Sequence, residues 1–161
     1  MIGMYVFLLG LFVGSFLNVV IYRWPREVSF IGGRSMCPGC KHTLSWYDLV
    51  PVCSWLWLRG RCRYCQTSIS PLYPTVELMN ALLWLWMFSH WYQEMSFGFL
   101  SWVDLGTRLL FASVLLVVFW IDLQTFLIPD GASLLLGMAG LVAGFLHGNI
   151  VERLVWAVGG G

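Results

Sequence analysis

Charged side chains are scarce in this sequence: they make up 11% of its 161 residues, whereas soluble globular domains carry roughly 25%. Apolar residues account for 59% and include ten tryptophans and eleven phenylalanines. A charge content this low excludes an ordinary water-soluble domain and a disordered chain. The composition therefore predicts a membrane protein, and the long uncharged stretches predict helices that cross the bilayer.

Basic residues are missing ahead of the first apolar stretch. A cleaved secretory signal needs a basic segment before its apolar run and small residues at the cleavage site. Residues 2–22 carry no charge and are long enough to span a bilayer, whereas Arg23-Trp24-Pro25-Arg26 makes a poor cleavage site. We therefore interpret residues 1–22 as an uncleaved first transmembrane helix rather than as a signal peptide.

Histidine is also rare, and no two of the three histidines have the spacing of metal ligands. Cysteine, in contrast, forms two pairs, Cys37-Pro38-Gly39-Cys40 and Cys62-Arg63-Tyr64-Cys65. Four thiolates in two tight turns can close a tetrahedral shell around Zn²⁺, and the spacing is typical of structural zinc ribbons. The alternatives are two disulfides, or iron in a rubredoxin-like redox site. We expect His42, next to Cys40, to support the site by hydrogen bonding.

Positive charge is unevenly spread. Seven of the nine basic residues lie in one loop: Arg23, Arg26, Arg34, Lys41, Arg59, Arg61 and Arg63. The positive-inside rule places that loop in the cytoplasm and the N-terminus outside. Because topology explains the charge, no nucleic-acid partner is needed, and we expect the last three arginines to contact anionic lipids. The cytoplasm keeps thiols reduced, which favours metal over disulfides.

The remaining apolar stretches predict the architecture. Helices are expected over residues 78–93, 105–121 and 131–151, with the start of another at 154–161. The predicted fold is an all-α polytopic membrane protein with a small cytoplasmic zinc-ribbon-like loop that carries the four paired cysteines. Its parts are a first helix (1–22), a metal-binding domain (23–76) and a membrane domain (77–161). Eight residues cannot cross a core of about 30 Å, so we expect either a longer chain or a surface position for 154–161.

Few polar residues lie within or beside these spans, and each is a candidate for a specific role. Asp122 ends the third span and, by alternation of the spans, lies on the same side as the cysteine loop. It is a functional candidate, although an acid that simply reaches the headgroups is the alternative. Asp130 is expected to cap the fourth helix. Glu77 is expected to stabilise the positive end of the second helix, and a role in the site is the alternative, because it lies at the same face of the membrane. Cys53 is expected to be a small buried apolar residue.

Small and polar residues in the first span predict helix contacts. Gly10 and Gly14 have the spacing of a close helix–helix approach, and we expect Ser15 and Asn18 to form hydrogen bonds between helices. Arg108, near the outer end of the third span, is expected to extend toward the headgroups.

Taken in order, these motifs resemble the bacterial type IV prepilin peptidases, a family of membrane aspartic proteases. The resemblance rests on Gly-Ser-Phe-Leu-Asn-Val-Val-Ile-Tyr-Arg at 14–23 and on the four-cysteine loop with Cys37-Pro38. It continues through Ser54-Trp55, Ile69-Ser70, Tyr73-Pro74 and Glu77, and through Ile121-Asp122 followed by Ile128-Pro129-Asp130. It covers nearly the whole chain.

The resemblance implies an enzyme of the bacterial inner membrane. It would cleave basic leader peptides from prepilins and pseudopilins at the cytoplasmic face, for pilus assembly or type II secretion. It would also methylate the new N-terminus with S-adenosylmethionine. By position, Asp122 matches one of two catalytic aspartates, and Cys37, Cys40, Cys62 and Cys65 match the cysteines of the metal loop.

One motif of that family is missing: the Gly-x-Gly-Asp segment with the second aspartate does not occur in residues 1–161. Aspartic proteolysis needs one ionised and one protonated carboxyl group around a water. We therefore expect residues 1–161 alone to be inactive. The alternative function is a catalytically silent membrane zinc-ribbon protein that binds pilin precursors or assembly partners. The sequence has no Gly-rich nucleotide fingerprint, so no residue is assigned to the methyl donor.

Overall fold

The computed structural model describes residues 1–29, 33–93, 99–125 and 130–146. In these ranges the chain forms five α-helices: α1 (Ile2–Arg23), α2 (Cys53–Trp57), α3 (Leu72–Gln93), α4 (Phe99–Thr125) and α5 (Asp130–Leu146). Two 3-10 helices, Trp24–Arg26 and Trp46–Asp48, lie in the loop after α1. Over the same ranges it has no β-strand, only two isolated β-bridges in the cysteine loop. The fold is therefore the predicted all-α membrane protein, with a cysteine loop between α1 and α3.

Two of the described helices, α1 and α4, are long and apolar enough to cross a membrane. The predicted second and fourth spans form α3 and α5, which are less suited by these measures. α3 carries Glu77, Asn80 and His90, and α5 has 17 described residues, slightly fewer than the roughly 20 of a typical span. The segment predicted at 154–161 lies outside the described residues.

Helices α1 and α3 pack closely because glycine lines their contact. A Cβ added at Gly10 would lie 2.7 Å from Ala81 Cα, and one added at Gly14 would lie 2.7 Å from Glu77 Cα. Both distances are shorter than any real Cβ contact, so only glycine permits this approach. The predicted role of the two glycines in a helix–helix contact is confirmed.

A cluster of buried apolar side chains joins one end of the bundle. It contains Leu17, Val20, Ile21, Val76, Leu116, Val117 and Ile121, with Trp24 and Leu72 packed against it. The cluster brings the last turns of α1 and α4 to the first turns of α3. The start of α5 lies at the same end, because a Cβ at Gly131 would be 3.0 Å from the Trp24 ring.

The opposite end has its own cluster of Phe88, Trp91 and Leu105. The Trp91 indole N–H donates a hydrogen bond to the Ser101 carbonyl, 3.1 Å away, and thereby ties α3 to the first turns of α4. Here the interpretation of Arg108 needs correction. Its Nε lies 2.9 Å from Asp104 Oδ2 one turn earlier in α4, so the side chain is held by an ion pair rather than only reaching for headgroups.

A buried polar chain connects α1, α3 and α4. Asn80, which has no exposed surface, donates from Nδ2 to the Gly10 carbonyl at 2.8 Å. Its Oδ1 accepts from the Ser113 hydroxyl at 2.9 Å. Ser113 Oγ in turn accepts from the Trp84 indole N–H at 3.0 Å. Every group in this chain is paired across a helix boundary, which is how apolar surroundings tolerate polar side chains.

Candidate metal centre and candidate catalytic aspartate

The first cysteine pair lies on a tight turn of backbone. The Cys37 N–H donates to the His42 carbonyl at 3.0 Å, and the Lys41 N–H donates to the Cys37 carbonyl at 2.9 Å. Lys41 adopts a left-handed conformation with φ of 56°. An isolated bridge between Met36 and Thr43 closes the turn. The turn leaves the Cys37 side chain buried while Cys40 remains exposed.

The second pair repeats this pattern. The Cys62 N–H donates to the Thr67 carbonyl at 2.9 Å, and the Gln66 N–H donates to the Cys62 carbonyl at 3.0 Å. Gln66 has a φ of 61°, and the closing bridge joins Arg61 to Ser68. The sequence signals only Cys-x-x-Cys twice. The structure adds that each pair is followed by a left-handed residue and a bridge of the same register.

The four sulfur atoms converge. All four Sγ atoms of Cys37, Cys40, Cys62 and Cys65 lie within 4.8 Å of one another, and Cys37 Sγ is 3.7 Å from Cys65 Sγ. A disulfide would require about 2.05 Å. A tetrahedral site with Zn–S bonds of about 2.3 Å has sulfur–sulfur edges of about 3.8 Å. The donor set and its spacing therefore fit a tetrahedral Zn²⁺ and do not fit disulfides.

The thiols of this cluster differ in acidity. The pKa of Cys65 is lowered to about 6, because the Thr67 hydroxyl and then the Thr67 amide hydrogen-bond to its sulfur. The amide of His42 acts to lower the pKa of Cys40, but desolvation and the neighbouring Cys65 and Cys37 thiols outweigh it and raise that pKa to about 11. Cys65 thus offers a thiolate, the ligand form, near neutral pH.

Asp48 holds the second turn to the segment before it, a role that the sequence interpretation missed. Its Oδ2 accepts from the Ser45 amide at 3.2 Å and from the Tyr64 hydroxyl at 3.1 Å, and Arg63 Nε donates to its Oδ1 at 2.8 Å. Burial raises the pKa of Asp48, but its hydrogen bonds with Arg63, the Ser45 amide and Tyr64 give a net lowering. The Ser-x-x-Asp spacing at 45–48 was the available signal.

Arg63 therefore differs from the expectation that it contacts lipid. Its guanidinium pairs with Asp48 and lies over the Tyr47 ring, 5.1 Å from the ring centroid. Arg63 is exposed, as are Arg59 and Arg61, but its position between Cys62 and Cys65 allows it to support the second turn through this pair.

The expectations for His42 and Cys53 are resolved differently. His42 supports the site by hydrogen bonding through its backbone, since its carbonyl accepts from the Cys37 N–H at 3.0 Å and its amide bonds to Cys40. Its ring lies against the Tyr64 ring, tilted by 36° with centroids 3.7 Å apart, and so joins the two cysteine turns. The prediction that Cys53 is buried is wrong: it is exposed at the start of α2. Pro51 is buried there and Val52 is half-buried. Among the described residues Cys53 is not part of the sulfur cluster.

Glu77 also differs from its expected position. α3 begins at Leu72, so Glu77 lies in the second turn and not at the helix start. It is 7% exposed, and its Oε2 accepts a hydrogen bond from the Val52 amide at 2.7 Å. The Ser15 hydroxyl of α1 hydrogen-bonds to the same carboxylate. The carboxylate thus joins the cysteine loop to both helices.

The prediction of hydrogen bonds between helices for Ser15 and Asn18 is confirmed. Ser15 reaches Glu77, and Asn18 Nδ2 donates to the Tyr73 carbonyl at 3.0 Å. Since Tyr73 and Glu77 are four residues apart, one face of α3 receives both side chains.

Asp122 is exposed in the last turn of α4, next to Ile121, which is 1% exposed. Ile121 packs with the end of α1 and the start of α3, so Asp122 and the cysteine loop lie at the same end of the bundle. The Asp130 side chain and residues 126–129 lie outside the described residues, and the capping prediction for Asp130 concerns that region. The Asp122 carboxylate at this end is therefore accessible to solvent.

Comparisons with known proteins agree with this arrangement. The family described as Bacterial Peptidase A24 N-terminal domain matches residues 8–91. A protein of Myxococcus xanthus named prepilin leader peptidase/N-methyltransferase is 40% identical over 97% of this chain and 50% of its own length. Proteins of that name from Aeromonas hydrophila and Klebsiella pneumoniae are each 36% identical. They cover 96% and 98% of this chain and 60% and 69% of their own lengths.

The chain thus spans from about half to about two thirds of the length of these curated relatives. No solved structure matches it.

Proposed function

Because this chain belongs to the Bacterial Peptidase A24 N-terminal domain family, we propose that it is part of a prepilin leader peptidase and N-methyltransferase. The enzyme would remove basic leader peptides from type IV prepilins and pseudopilins and methylate the new N-terminus. The observation that carries this proposal is the similarity to relatives of that name over 96–98% of the chain. The placement of Asp122 at the same end as the cysteine loop supports it.

In this proposal Asp122 supplies one carboxyl group of an aspartic pair. One carboxylate takes a proton from a water, the water oxygen attacks the scissile carbonyl, and the protonated partner hydrogen-bonds to the carbonyl oxygen. The tetrahedral species then collapses with transfer of a proton to the leaving amine. Two close carboxyl groups differ in pKa and so divide these tasks. With Asp122 as its only matched aspartate, the polypeptide of residues 1–161 is inactive by itself.

The four clustered cysteines would hold a structural Zn²⁺. When bound, the ion supplies Zn–S bonds that contribute to the folding free energy of a small loop. Iron in the same thiolate set remains the alternative metal. The methyl donor of the proposed second activity is S-adenosylmethionine, and no described residue is assigned to it.

We place the metal loop (23–76) and Asp122 at the cytoplasmic face of the inner membrane, with the N-terminus outside. The support is the seven of nine basic residues that lie in residues 23–63. The membrane domain of residues 77–161 then follows α1 and the loop. The bilayer and the leader peptides of prepilins are the proposed partners, and nucleic acid is not.

A processing assay tests the function. The native protein is purified from membranes and incubated with a prepilin that carries its basic leader, and the product is weighed by mass spectrometry. We expect cleavage and methylation by the native protein, and a loss of cleavage of at least about 100-fold in Asp122→Asn, the range typical of an acid–base group. Glu27→Gln, an exposed acid beyond the end of α1, is the matched control and should cleave normally.

The same assay separates the alternatives. Residues 1–161 expressed alone should give no cleavage. Robust turnover by that polypeptide, lost in Asp122→Ala, would contradict the need for a second aspartate. Absence of processing by the native protein would instead favour the catalytically silent zinc-ribbon protein that binds pilin precursors.

A further inference from the structure

Residues 49–58 form an uncharged segment inside the most basic loop of the protein. Asp48 and Arg59 bound the segment, which reads Leu-Val-Pro-Val-Cys-Ser-Trp-Leu-Trp-Leu and contains α2. Two of its apolar side chains are largely exposed: Trp57 is 84% exposed and Leu56 is 61% exposed. Exposed apolar surface of this kind marks a place where a protein contacts a membrane or another protein.

The position of this segment along α1 indicates which of the two, a membrane or another protein, it contacts. The Val52 amide is 2.7 Å from the Glu77 carboxylate, and Glu77 packs on Gly14 and hydrogen-bonds to Ser15. Ser15 lies eight residues before the end of α1 at Arg23, which is about 12 Å along the helix at about 1.5 Å per residue. The start of α2 is therefore attached beside Ser15, about 12 Å before the end of α1 along the helix.

The length of α1 gives the depth of this position in the bilayer. Its 22 residues extend about 33 Å, close to the core thickness of about 30 Å. When α1 crosses the bilayer, its end at Arg23 reaches the headgroups, and the contact between Val52 and Glu77 lies about 10 Å inside the hydrocarbon. A segment attached at that depth, with uncovered tryptophan and leucine side chains, faces lipid.

The polar groups of the segment have the hydrogen-bond partners that a lipid environment requires. Irregular backbone at membrane depth is tolerated only where its polar groups are paired within the protein. The Val52 amide is paired by Glu77, and the Leu56 amide donates to the Val52 carbonyl at 3.0 Å. The Trp55 indole N–H donates to the Ile69 carbonyl at 3.1 Å. This pairing also explains why an acidic side chain is buried within α3.

We propose that residues 49–58 are a re-entrant segment that dips into the leaflet on the side of the cysteine loop. Leu56 and Trp57 contact lipid, and the exposed Arg59 and Arg61 lie at anionic headgroups, whose charge complements theirs. The same two positive charges oppose a basic leader peptide as the occupant. The inference rests on α1 crossing the membrane and not on the proposed activity.

Spin-label accessibility tests the proposal. Trp57 is replaced by p-acetylphenylalanine, whose ketone takes a nitroxide without involving cysteine, and a second protein carries the label at Leu56. The controls carry it at Arg34, which is exposed in the basic loop, and at Phe12, which is exposed on α1. Each full chain is reconstituted in vesicles of phosphatidylethanolamine and phosphatidylglycerol. Collision rates are then measured with oxygen, which concentrates in lipid, and with a nickel chelate, which stays in water.

We expect the labels at 56 and 57 to match position 12, with frequent oxygen collisions and a nickel collision rate several-fold below that at position 34. Nickel accessibility equal to that at position 34 would place the segment in water and overturn the proposal. Low rates with both reagents would mean that protein covers the segment, which also overturns it. The two labelled positions are independent, so disturbed folding at one leaves the other as the test.

Discussion

Among single residues, Asp48 joins two segments of the cysteine loop by three hydrogen bonds. Its carboxylate accepts from the amide that starts its own turn and from both residues between Cys62 and Cys65. A hydrogen bond to a charged group is worth roughly 1.5–3 kcal/mol when buried, but Arg63 is partly exposed and solvent screening reduces its share. The carboxylate therefore stabilises the second turn without being a metal ligand.

We expect Asp48→Asn to weaken the loop by about 1 kcal/mol, since the neutral amide cannot replace the ion pair. The measurement is the temperature at which the bound metal is released to a chromogenic chelator. Because the pKa of Asp48 is lowered in the fold, its contribution is fully present above the unfolded pKa of about 4. It is lost as the pH falls through the folded pKa.

The difference between the native protein and Asp48→Asn should therefore be constant between about pH 6 and 8, well above that unfolded pKa. Glu27→Gln serves as the control and should release metal as the native protein does. A difference that grows as the pH rises from about 6 to 8 would show that another group, titrating above the carboxyl range, is responsible.

Glu77 gives a second prediction at the same scale. Glu77→Ala leaves the Val52 amide without its acceptor, and a buried unpaired amide costs about 1–3 kcal/mol. Glu77→Gln keeps a side-chain oxygen for that amide and should lose much less. Thermal unfolding in detergent, followed by tryptophan fluorescence, gives the comparison, with the exposed Leu78→Ala as control. Equal losses in the Gln and Ala variants would show that the charge, and not the acceptor, matters.

At the scale of elements, the contact between α1 and α3 depends on glycine. Gly14→Ala puts a methyl group 2.7 Å from Glu77 Cα, so the helices must separate, at a cost of about 1–3 kcal/mol. The matched control is Gly106→Ala in α4, where nothing lies within 4 Å of the added Cβ. That change should be neutral or stabilising by up to about 1 kcal/mol, because alanine favours helix more than glycine.

The two glycine variants are compared by heating in detergent, followed by size-exclusion chromatography. Equal melting temperatures for Gly14→Ala and the native protein would mean that the helices can part without loss. A large loss in Gly106→Ala would show that α4 packs on a surface beyond the described residues.

Helix bounds show what a sequence can predict for this chain. The end of α1 was predictable to one residue, because Arg23 ends both the apolar run and the helix. α3 begins six residues before the apolar run at 78, because Pro71 and Pro74 sit where a helix start needs no amide donor. α4 begins at Phe99, six residues before the predicted start at 105, and so includes Asp104, which the apolar pattern assigned to a loop. Its ion pair with Arg108 one turn later allows the charge inside the helix.

For the whole molecule, we expect the proposed metal to stabilise the cysteine loop and not the helices. Removing the metal with a chelator should open the cysteine loop while the helices remain folded, because most of the binding energy of such sites is folding energy of the small module. We expect trypsin to cut at Arg59 and Arg61 in the metal-free protein and not in the loaded one. Circular dichroism should change little.

Variants and metal analysis complete this test. Cys37→Ser should resemble the chelated protein, whereas Cys53→Ser, outside the sulfur cluster, should keep one metal ion per chain. A colourless protein with zinc excludes the iron alternative, and a visible absorption band supports it. Protection of the loop that persists in Cys37→Ser would contradict a metal-held fold.

For the whole molecule, the sequence predicted which residues share one end of the bundle, but it did not predict how far along α1 the cysteine loop is attached. Alternating spans predicted that Asp122 and the cysteine loop share one end, and the packing of Ile121 on Ile21 places them there. Nothing in the pattern of residues predicted that Val52 lies about two turns down α1, because that depth follows from one hydrogen bond to Glu77. Likewise, the Ser-x-x-Asp spacing at 45–48 indicates the Ser45 amide as a partner of Asp48 and gives no sign of Arg63 or Tyr64.

The close packing of α1 on α3 has a consequence for the exchange of the proposed metal. The end of α1 and the start of α3 pack in one apolar cluster that includes no cysteine, so this packing brings the two ends of the loop together without help from the ion. The two cysteine turns therefore stay at a high effective concentration relative to each other when no ion is bound. Much of the entropy cost of closing the loop is already met by the helix packing. Assembly of the four-thiolate ligand set is then an intramolecular step, so we expect the loop to bind the proposed ion again after its release while the helices stay folded.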